Sequence, residues 1–347
     1  MYKNLSAGTL SHGGVMVNYQ CSAACRHCLY SCSPTRGPAS SNYVSDETAE
    51  KICLLLNKGG CRSVHIGGGE PFLDFDRLLV MVQKLKQTGI KLEYIETNAF
   101  WAAGTQGSTE TQKDTQKEVM TKLETLLTMG VDCLCISVDP FHAEYVPYGA
   151  PLALARLCDK IGMNYFLWRH VFLSVLSGLD SKKTHSRADM EKTVSKKYLR
   201  DTASIYGIEY GGRAVNIERE FGKLLPAASF VVEDSPCYNL LSTEHFHVDM
   251  EANFIPPRCT GLCIPLSEVL EGIPQGKYLV FETLYSGGIS ALMRLAVECG
   301  FSPDVAGYPS RCNLCFHLRH FLSANNFKGK SFPELDRNHY EEAFKYY

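Results

Sequence analysis

The feature that most constrains the fold is an alternation of short apolar runs with amphipathic stretches over the first 210 residues. This order of strands and helices is typical of an α/β domain with a parallel sheet. The strands are predicted at residues 15–19, 63–66, 91–96, 133–138, 165–175 and 204–210. The helices are predicted at residues 46–58, 75–86, 116–129, 152–161 and 187–200.

Beyond about residue 231 the alternation fades, and cysteine, proline and glycine become frequent. We therefore expect an α/β core over residues 1–230 and a smaller cysteine-rich unit over residues 231–347. A chain of 347 residues is long enough to bury the core that such an arrangement needs.

The composition argues against several classes of protein. A net charge of -2 is unlike that of a general nucleic-acid binder or a membrane-surface protein. No apolar stretch reaches the roughly 20 residues that span a bilayer, and the first residues lack the apolar centre of a signal peptide. With no export signal, the 15 cysteines indicate reduced thiols that bind metal in the cytoplasm rather than disulfides.

Three cysteines follow the first predicted strand, namely Cys21, Cys25 and Cys28, with the spacing C-x3-C-x2-C. A structural metal site normally closes with four ligands, whereas three thiolates leave one position open for chemistry. A 4Fe–4S cluster on these three cysteines would keep one iron free. A zinc site with His27 or Cys32 as the fourth ligand is the alternative that the spacing alone leaves open.

Polar or glycine-rich motifs end the next three predicted strands. They are Gly67, Gly68, Gly69, Glu70 and Pro71 after the second strand, Glu96, Thr97 and Asn98 after the third, and Ser137 and Asp139 after the fourth. Because parallel sheets bind ligands at the carboxyl ends of their strands, we expect these motifs to form one site with the cysteines. Structural roles are the alternative, and Asp139 could merely cap the next helix.

Together with a weaker GGRA motif at residues 211–214, these motifs resemble those of the radical SAM superfamily. The resemblance covers roughly the first two-thirds of the chain. It implies an α/β fold with a partial (β/α)6 TIM-like barrel, a 4Fe–4S cluster on the cysteine trio and S-adenosylmethionine (SAM) as cofactor. It also implies that reductive cleavage of SAM yields a 5′-deoxyadenosyl radical that abstracts hydrogen from a substrate.

The resemblance assigns cofactor contacts to the motifs at the strand ends. It implies that residues 68–71 bind the amino group of SAM, with Glu70 fixing the turn or adding charge. Ser137 and Asp139 suit the ribose hydroxyls, and Asn98 suits the ribose or the carboxylate. Arg213 is a candidate for meeting a carboxylate or phosphate. His142, just after the fourth strand, is a candidate acid or base.

A second group of cysteines lies near the C-terminal end of the chain. Cys237 and Cys259 flank a stretch that alternates like a hairpin, and Cys312 and Cys315 form a C-x2-C pair. This arrangement resembles the SPASM/twitch extension of radical SAM enzymes. The resemblance implies an auxiliary 4Fe–4S cluster on these four cysteines, with Cys263 as a substitute ligand. A structural zinc on four cysteines is the alternative.

Enzymes with SPASM/twitch extensions mostly modify peptides or proteins, so the resemblance favours a peptide or protein side chain as the substrate. Only about fourteen residues precede the first predicted strand, so we expect a separate leader-binding protein. An electron donor such as flavodoxin or ferredoxin is also implied. A small molecule or cofactor precursor is the alternative substrate, and a non-catalytic iron–sulfur or zinc interaction protein is the third interpretation.

Overall fold

The structure, a computed structural model, describes residues 5–37, 42–105, 109–232, 235–325, 327 and 331–346. Within them the strands are β1 His12–Met16, β2 Ser63–Gly67, β3 Lys91–Thr97, β4 Cys133–Ser137, β5 Asn164–Trp168, β6 Glu244–Val248, β7 Asn253–Ile255 and β8 Ile264–Pro265. The helices of the first half are α1 Asp46–Lys58, α2 Phe75–Thr88, α3 Glu110–Thr128, α4 Pro140–Ala143, α5 Gly149–Ile161 and α6 Leu173–Leu176. Those of the second half are α7 Arg187–Thr193, α8 Tyr198–Tyr206, α9 Ala214–Phe221, α10 Leu266–Glu271, α11 Leu279–Glu298, α12 Arg311–Ala324 and α13 Arg337–Lys345.

These strands form one open sheet in the order β5-β4-β3-β2-β1-β6-β7-β8. The strands from β5 to β6 run parallel to their neighbours, and β7 and β8 add two antiparallel strands at one edge. The predicted α/β class with a partial, TIM-like barrel is therefore confirmed, and the sheet does not close on itself.

Helices cover one face of this sheet. Val15, Ile66 and Ile136 are buried in one apolar cluster with Ile52 of α1 and Leu78 of α2. Successive side chains of a strand point to opposite faces. The face opposite these helices, called the inner face below, carries Gly14, His65, Glu96, Cys135, Phe166 and His247. Phe166 is 36% exposed there, so the inner face is accessible where helices do not pack.

Helix α1 shows how local sequence sets the element boundaries. Ser45 caps its start by accepting a hydrogen bond from the Thr48 backbone N–H over 3.1 Å. Acidic residues fill the first turn, where they favour the positive end of the helix dipole. The helix begins and ends at the residues predicted from the sequence, 46 and 58.

The sequence prediction of the sixth strand is wrong. Residues 204–210 are predicted as a strand, whereas residues 198–206 form α8. Tyr198, Leu199, Thr202 and Ala203 are buried at helical spacing, so tertiary packing outweighs the local strand preference. The sixth parallel strand is β6, which pairs directly with β1. One sheet thus runs across the boundary expected near residue 231.

Smaller differences occur at the edge of the sheet. β5 ends at Trp168 instead of continuing to residue 175. The helix predicted at residues 187–200 is interrupted, with α7 ending at Thr193 and α8 beginning at Tyr198. The hairpin predicted between Cys237 and Cys259 is confirmed by the antiparallel pairing of β6 with β7. Over the residues that the structure describes, none of the helices combines the length and apolarity needed to cross a membrane.

Candidate active site

The cysteine trio lies on the segment that follows β1, residues 17–37, which is called the cysteine loop below. Cys21 and Cys25 are buried and Cys28 is half-buried. The Cys28 backbone N–H donates to the Cys25 carbonyl over 3.1 Å, and the Cys21 N–H donates to the Ser33 carbonyl over 3.0 Å. Burial, and then the neighbouring Cys25, raises the pKa of the Cys21 thiol. The fold therefore brings the three thiols into one environment at the carboxyl edge of the sheet.

Cys32 lies beside the trio and is hydrogen-bonded to Cys28. Its backbone N–H donates to Cys28 Sγ over 3.3 Å. A hydrogen bond from the Cys32 thiol lowers the pKa of Cys28, whereas burial raises the pKa of Cys32 itself. Because the thiolate is the form that binds metal, Cys28 is prepared as a ligand and Cys32 as its hydrogen-bond donor.

Arg213 holds the cysteine loop in place. The side chain is fully buried, and Nε donates to the Cys25 carbonyl over 2.9 Å while Nη2 donates to the Cys32 carbonyl. Gly212 permits this approach, because its φ is +51° and a Cβ there would lie 2.5 Å from the Cys28 carbonyl oxygen. Arg213 Nη1 is buried and has no hydrogen-bond partner among the described residues.

The glycine-rich turn after β2 packs against the chain that follows β1. A Cβ on Gly69 would lie 1.9 Å from the Gln20 carbonyl oxygen, and one on Gly68 would lie 2.7 Å from the Asn18 carbonyl oxygen. The Gly69 N–H donates to that Asn18 oxygen over 2.9 Å. From the sequence, these glycines are explained by the close approach of a ligand to a backbone without side chains. In the structure, the neighbouring backbone is what requires glycine at positions 68 and 69.

Glu70 fixes the ends of β2 and β3 relative to each other. Its buried carboxylate accepts hydrogen bonds from Thr97 Oγ1 over 2.9 Å, from the Asn98 N–H over 2.8 Å and from the Phe72 N–H over 3.1 Å. Burial raises its pKa to about 7, against the effect of these hydrogen bonds. Pro71 begins a short 3-10 turn that Glu70 caps. The side chain thus has the turn-fixing role that the sequence argument allowed for it.

Asn98 connects β3 to the cysteine loop. Its Nδ2 donates to Ser22 Oγ over 3.1 Å and lies 3.6 Å from Cys21 Sγ. Its Oδ1 accepts a hydrogen bond from the Phe100 N–H over 3.0 Å. Both ends of the amide are therefore bonded within the protein, and the side chain positions the residues around Cys21.

Asp139 caps α4 and orients His142. Its Oδ1 accepts from the N–H groups of Phe141 and His142 over 2.9 and 3.1 Å, and its Oδ2 lies 2.7 Å from His142 Nδ1. Burial alone would raise the pKa of Asp139, but the charge and hydrogen bonds of His142 lower it to about 2. The capping interpretation thus describes Asp139 in this structure. Ser137 ends β4 on the inner face and is half-buried.

A compact group of imidazoles and carboxylate lies against Cys25. The ligand atoms of His27, Asp139 and His142 lie within 4.8 Å of one another, and His142 hydrogen-bonds to the Cys25 thiol. His27 stacks on Phe141 with ring centroids 4.7 Å apart. Burial lowers the pKa of His27 to about 3, so its ring is neutral at pH 7. Its buried Nδ1 has no hydrogen-bond partner among the described residues.

Glu96 lies on the inner face rather than against the cysteine loop. One carboxylate oxygen is 3.7 Å from His65 Nε2. The side chain is 44% exposed, yet the surrounding protein desolvates it enough to raise its pKa to about 7. The structure therefore groups Glu96 with the imidazoles of the inner face.

Four of the C-terminal cysteines surround Arg319. Burial raises the pKa of the thiols of Cys237, Cys259, Cys312 and Cys315, and their charges act on one another. Arg319 is buried and hydrogen-bonds to Cys315, and it partly offsets the rise in the pKa of that thiol that burial causes. A buried cation beside four thiols favours their thiolate forms. The structure therefore gathers the four cysteines that the sequence argument grouped.

Cys263 lies in a different environment. After burial, the groups that act on its thiol are Asp249, Asp336 and Arg36. Arg36 forms an ion pair with Asp336 at 2.5 Å. The strongest influences on the Cys263 thiol therefore come from charged side chains and not from the four cysteines near Arg319.

Two features of the site were missed by the sequence argument. One is the role of Arg213 in clamping the cysteine loop, for which the sequence offers no signal. The other is the set of imidazoles beside Glu96, from His65 and His247. The alternate histidines at positions 245 and 247 of a predicted hairpin were the available signal, because alternate residues of a strand share a face.

Comparison with known proteins yields one family match and one curated relative. Residues 13–131 match the 4Fe–4S single cluster domain family, which confirms the prediction of a 4Fe–4S cofactor. The putative peptide biosynthesis protein YydG of Bacillus subtilis (strain 168) is 24% identical over 132 residues. That alignment covers 38% of this chain and 37% of the relative, so the chain spans little more than a third of the length of the relative.

Solved structures resemble the chain over greater lengths but at lower identity. The structure of native anSMEcpe with bound AdoMet is 14% identical, with a TM-score of 0.41, and the alignment covers 96% of this chain and 95% of that one. The structure of Streptococcus suis SuiB bound to precursor peptide SuiA is 12% identical, with a TM-score of 0.36 and coverage of 90% and 76%. Neither likeness is close enough to assign a reaction.

Proposed function

We propose that this chain, a radical SAM protein with a 4Fe–4S cluster domain, is a maturase that modifies a side chain of a peptide or protein. The observation that carries the proposal is the convergence of three cysteines with the ends of β2, β3 and β4 at one edge of the sheet. The relative YydG, which is named for peptide biosynthesis, supports a peptide as the substrate class.

The residues at this edge fit the two cofactors. Cys21, Cys25 and Cys28 would hold three irons of the cluster, and Cys32 would remain a hydrogen-bond donor. His27 Nδ1 and Arg213 Nη1 are buried nitrogens without a partner among the described residues, and a polar ligand bound beside the trio would satisfy them. When bound, the cluster and SAM supply the radical chemistry that abstracts hydrogen from the substrate.

The residues of the chain itself fix the positions of the strand-end motifs and of the side chains beside the cysteine trio. Glu70 links the ends of β2 and β3 by hydrogen bonds, and Asn98 links β3 to the cysteine loop, so the motifs are held in one arrangement. Asp139 keeps His142 directed at Cys25. His27 presents a neutral ring beside the trio. We assign His142 a positioning role at the cluster, which replaces the acid or base role considered from the sequence.

The C-terminal cysteines form the second part of the proposal. We assign an auxiliary 4Fe–4S cluster to Cys237, Cys259, Cys312 and Cys315, with Arg319 balancing its negative charge. Residues 1–230 are then the radical SAM core and residues 231–347 the auxiliary unit, joined through the pairing of β1 with β6. Four cysteine ligands would leave no iron of this cluster open to another molecule. Such a cluster suits electron transfer better than substrate binding.

The partners follow from this chemistry. The cluster requires a low-potential electron donor such as flavodoxin or ferredoxin, and we propose a separate leader-binding protein as a partner that presents the peptide substrate. None of the cysteines that the structure describes is joined in a disulfide. We therefore place the protein in a reducing, cytoplasmic setting.

The first test is SAM cleavage. Anaerobically reconstituted protein, reduced with dithionite and given SAM, should release 5′-deoxyadenosine, which liquid chromatography with mass spectrometry detects. Replacing Cys21, Cys25 and Cys28 together with Ala should abolish the product and leave the iron of the C-terminal unit. The matched control is Cys61→Ala, a buried cysteine outside the site, which should retain cleavage. Loss in both variants, or retention in both, would refute the assignment.

The second test addresses the substrate. Short peptides encoded beside the gene are incubated with the reduced protein and SAM, and their masses and fragmentation are measured. A peptide whose modification requires intact Cys21 supports the maturase. SAM cleavage without modification of any such peptide would favour the small-molecule alternative.

A further inference from the structure

The two edges of the open sheet are built differently. At one edge, β8 is only two residues long and ends in Pro265. Natural proteins use short edge strands and proline to keep a sheet edge from pairing with another chain. At the other edge, β5 has five residues, Asn164–Trp168, without lysine, proline or glycine, and its register with β4 has no bulge. The β5 edge thus lacks the usual protection against pairing.

The free side of β5 presents unpaired backbone groups. The carbonyl of Trp168 accepts a hydrogen bond from the Val138 N–H, just past the end of β4, over 3.2 Å. Because the backbone groups of alternate strand residues point to the same side, those of Tyr165 and Leu167 point away from β4. Over the residues that the structure describes, no strand pairs with this side of β5. Each of these two residues therefore leaves one donor and one acceptor open to a further strand.

The side chains beside this edge are exposed and aromatic. Phe166 is 36% exposed and Trp168 is 40% exposed, and both belong to the inner face. The ring of Tyr94 meets that of Phe166 edge-on, with centroids 5.2 Å apart. In a strand added to β5, every second side chain would also lie on the inner face. The edge thus combines backbone pairing with an apolar surface for alternate side chains.

The β5 edge lies close to the candidate active site. Trp168 is the partner of Ser137 in the register between β5 and β4. Trp168 Nε1 donates to the Tyr206 hydroxyl over 2.9 Å, and the Tyr206 ring meets the His27 ring edge-on with centroids 4.7 Å apart. His27 belongs to the cysteine loop. A strand added to β5 would therefore pass the edge of the sheet at which the cysteine trio lies.

A cation without an anionic partner follows the last residue of β5. Arg169 has a φ of 67°, which turns the chain out of the strand. Its guanidinium lies over the rings of Trp168 and Tyr206, 4.5 and 5.0 Å from their centroids. Among the described residues, no carboxylate pairs with this guanidinium, and its buried Nε has no hydrogen-bond partner. This end of the edge therefore favours a ligand that carries a carboxylate.

We propose that an extended segment of the substrate peptide binds to β5 as an additional strand, with an acidic residue of the peptide at Arg169. This inference rests on the proposed maturase function. In strand addition, main-chain hydrogen bonds give affinity, and the surface for alternate side chains gives specificity. A peptide fits better than a second copy of β5, because residues 162–168 contain no acidic residue that could pair with Arg169.

The test uses a peptide probe and requires no radical chemistry. The probe is a fluorescein-labelled peptide of about eight residues, with alternating threonine and valine and a glutamate at each end. Anaerobically reconstituted wild type is titrated without reductant, with fluorescence anisotropy and backbone hydrogen exchange as the measurements. We expect saturable binding and slower exchange at the amides of Tyr165 and Leu167. Absence of binding, or protection confined to other segments, would overturn the proposal.

Variants test the edge and the cation separately. Tyr165→Pro removes an N–H from the free side of β5, whereas the matched control Tyr165→Ala removes the same side chain and keeps the N–H. The proline variant should bind the probe at least about fivefold more weakly than the alanine variant, as expected for loss of one hydrogen bond. Arg169→Gln should abolish the preference for this probe over one with glutamine at each end. Equal binding by the proline and alanine variants would overturn the proposal. If circular dichroism shows that the proline variant misfolds, Arg169→Gln and the exchange of the wild type decide.

SAM cleavage separates this inference from the proposed function. Tyr165→Pro should release 5′-deoxyadenosine at the wild-type rate, because the edge does not contact the cofactors. Normal cleavage with unchanged probe binding would overturn the inference and leave the maturase assignment standing. Absence of cleavage by the wild type would refute the proposed function, whereas the binding measured without reductant would still decide the role of the edge. A wild-type dimer in light scattering that the proline variant loses would assign the edge to a second copy and overturn the proposal.

Discussion

Replacing Gly69 with Ala tests why the turn after β2 is made of glycine. The new Cβ would lie 1.9 Å from the Gln20 carbonyl oxygen, so this backbone must retreat by about 1 Å to reach even a tight contact. The Gly69 N–H to Asn18 and the Glu70 N–H to Gln20 form hydrogen bonds of 2.9 Å each, and both would be strained. Overpacking of about 1–3 kcal/mol and two weakened hydrogen bonds of up to about 1 kcal/mol each predict a loss of about 3–5 kcal/mol.

The effect should reach the cluster, because Gln20 directly precedes Cys21. We expect Gly69→Ala to lower the free energy of unfolding, measured by urea denaturation without SAM, and to lower the iron content after reconstitution. The matched control is Gly67→Ala. A Cβ at position 67 would approach only the end of the Glu96 side chain, at 2.8 Å, and that half-exposed side chain can move. Its stability without SAM should stay within about 1 kcal/mol of wild type.

The contrast between the two variants decides the matter. If glycine is needed for the approach of a ligand, both variants should be stable and both should bind SAM poorly. If the backbone after β1 requires glycine, only Gly69→Ala should lose stability in the absence of SAM. Equal stability of the two variants would refute our interpretation of the turn.

Two further predictions concern the cap at α4 and the auxiliary site. At pH 6, Asp139→Asn should cost about 2 kcal/mol of stability, because the carboxylate pKa is lowered from 3.8 to about 2 in the folded protein. A carboxyl group whose pKa is lowered by folding stabilises the protein at pH values above its pKa in the unfolded chain. The difference in urea midpoint between Asp139→Asn and wild type should therefore shrink as pH falls from about 4 towards 2. A difference that stays constant would contradict the pairing of Asp139 with His142. Cys259→Ser should reduce the iron content from about eight to about four per chain, whereas Cys263→Ser should leave it unchanged. Equal iron loss in both cysteine variants would show that Cys263 is a ligand.

Helix boundaries and strand types were largely predictable from local sequence. α1 begins at the residue that Ser45 caps and ends before a glycine pair, so its bounds follow from side-chain hydrogen bonding and backbone freedom. The first four strands lie close to their predicted positions because each is a short apolar run between turn residues. The two cysteine groups could be listed in advance, because the spacing of ligands along the chain is itself a sequence property.

Pairing between distant strands could not be predicted in the same way. Residues 204–210 look like a strand locally, but the buried positions of α8 set a helix there. β6 takes the place beside β1 although some 230 residues separate them, and no local pattern specifies such a partner. Glycine poses the same problem, since the sequence shows that a Cβ is absent at Gly69 but not what lies in the direction of the missing atom.

By itself the sequence determined the chemistry of the donors: three thiols after the first strand, four more near the C-terminal end, and polar groups at successive strand ends. Tertiary structure decided which of them meet. It placed Arg213 against the cysteine loop, made Asp139 the cap of α4 and the partner of His142, and grouped Glu96 with the imidazole of His65. The physical reason is that residue types and spacing are local, whereas the contacts of a side chain depend on packing between segments far apart in the chain.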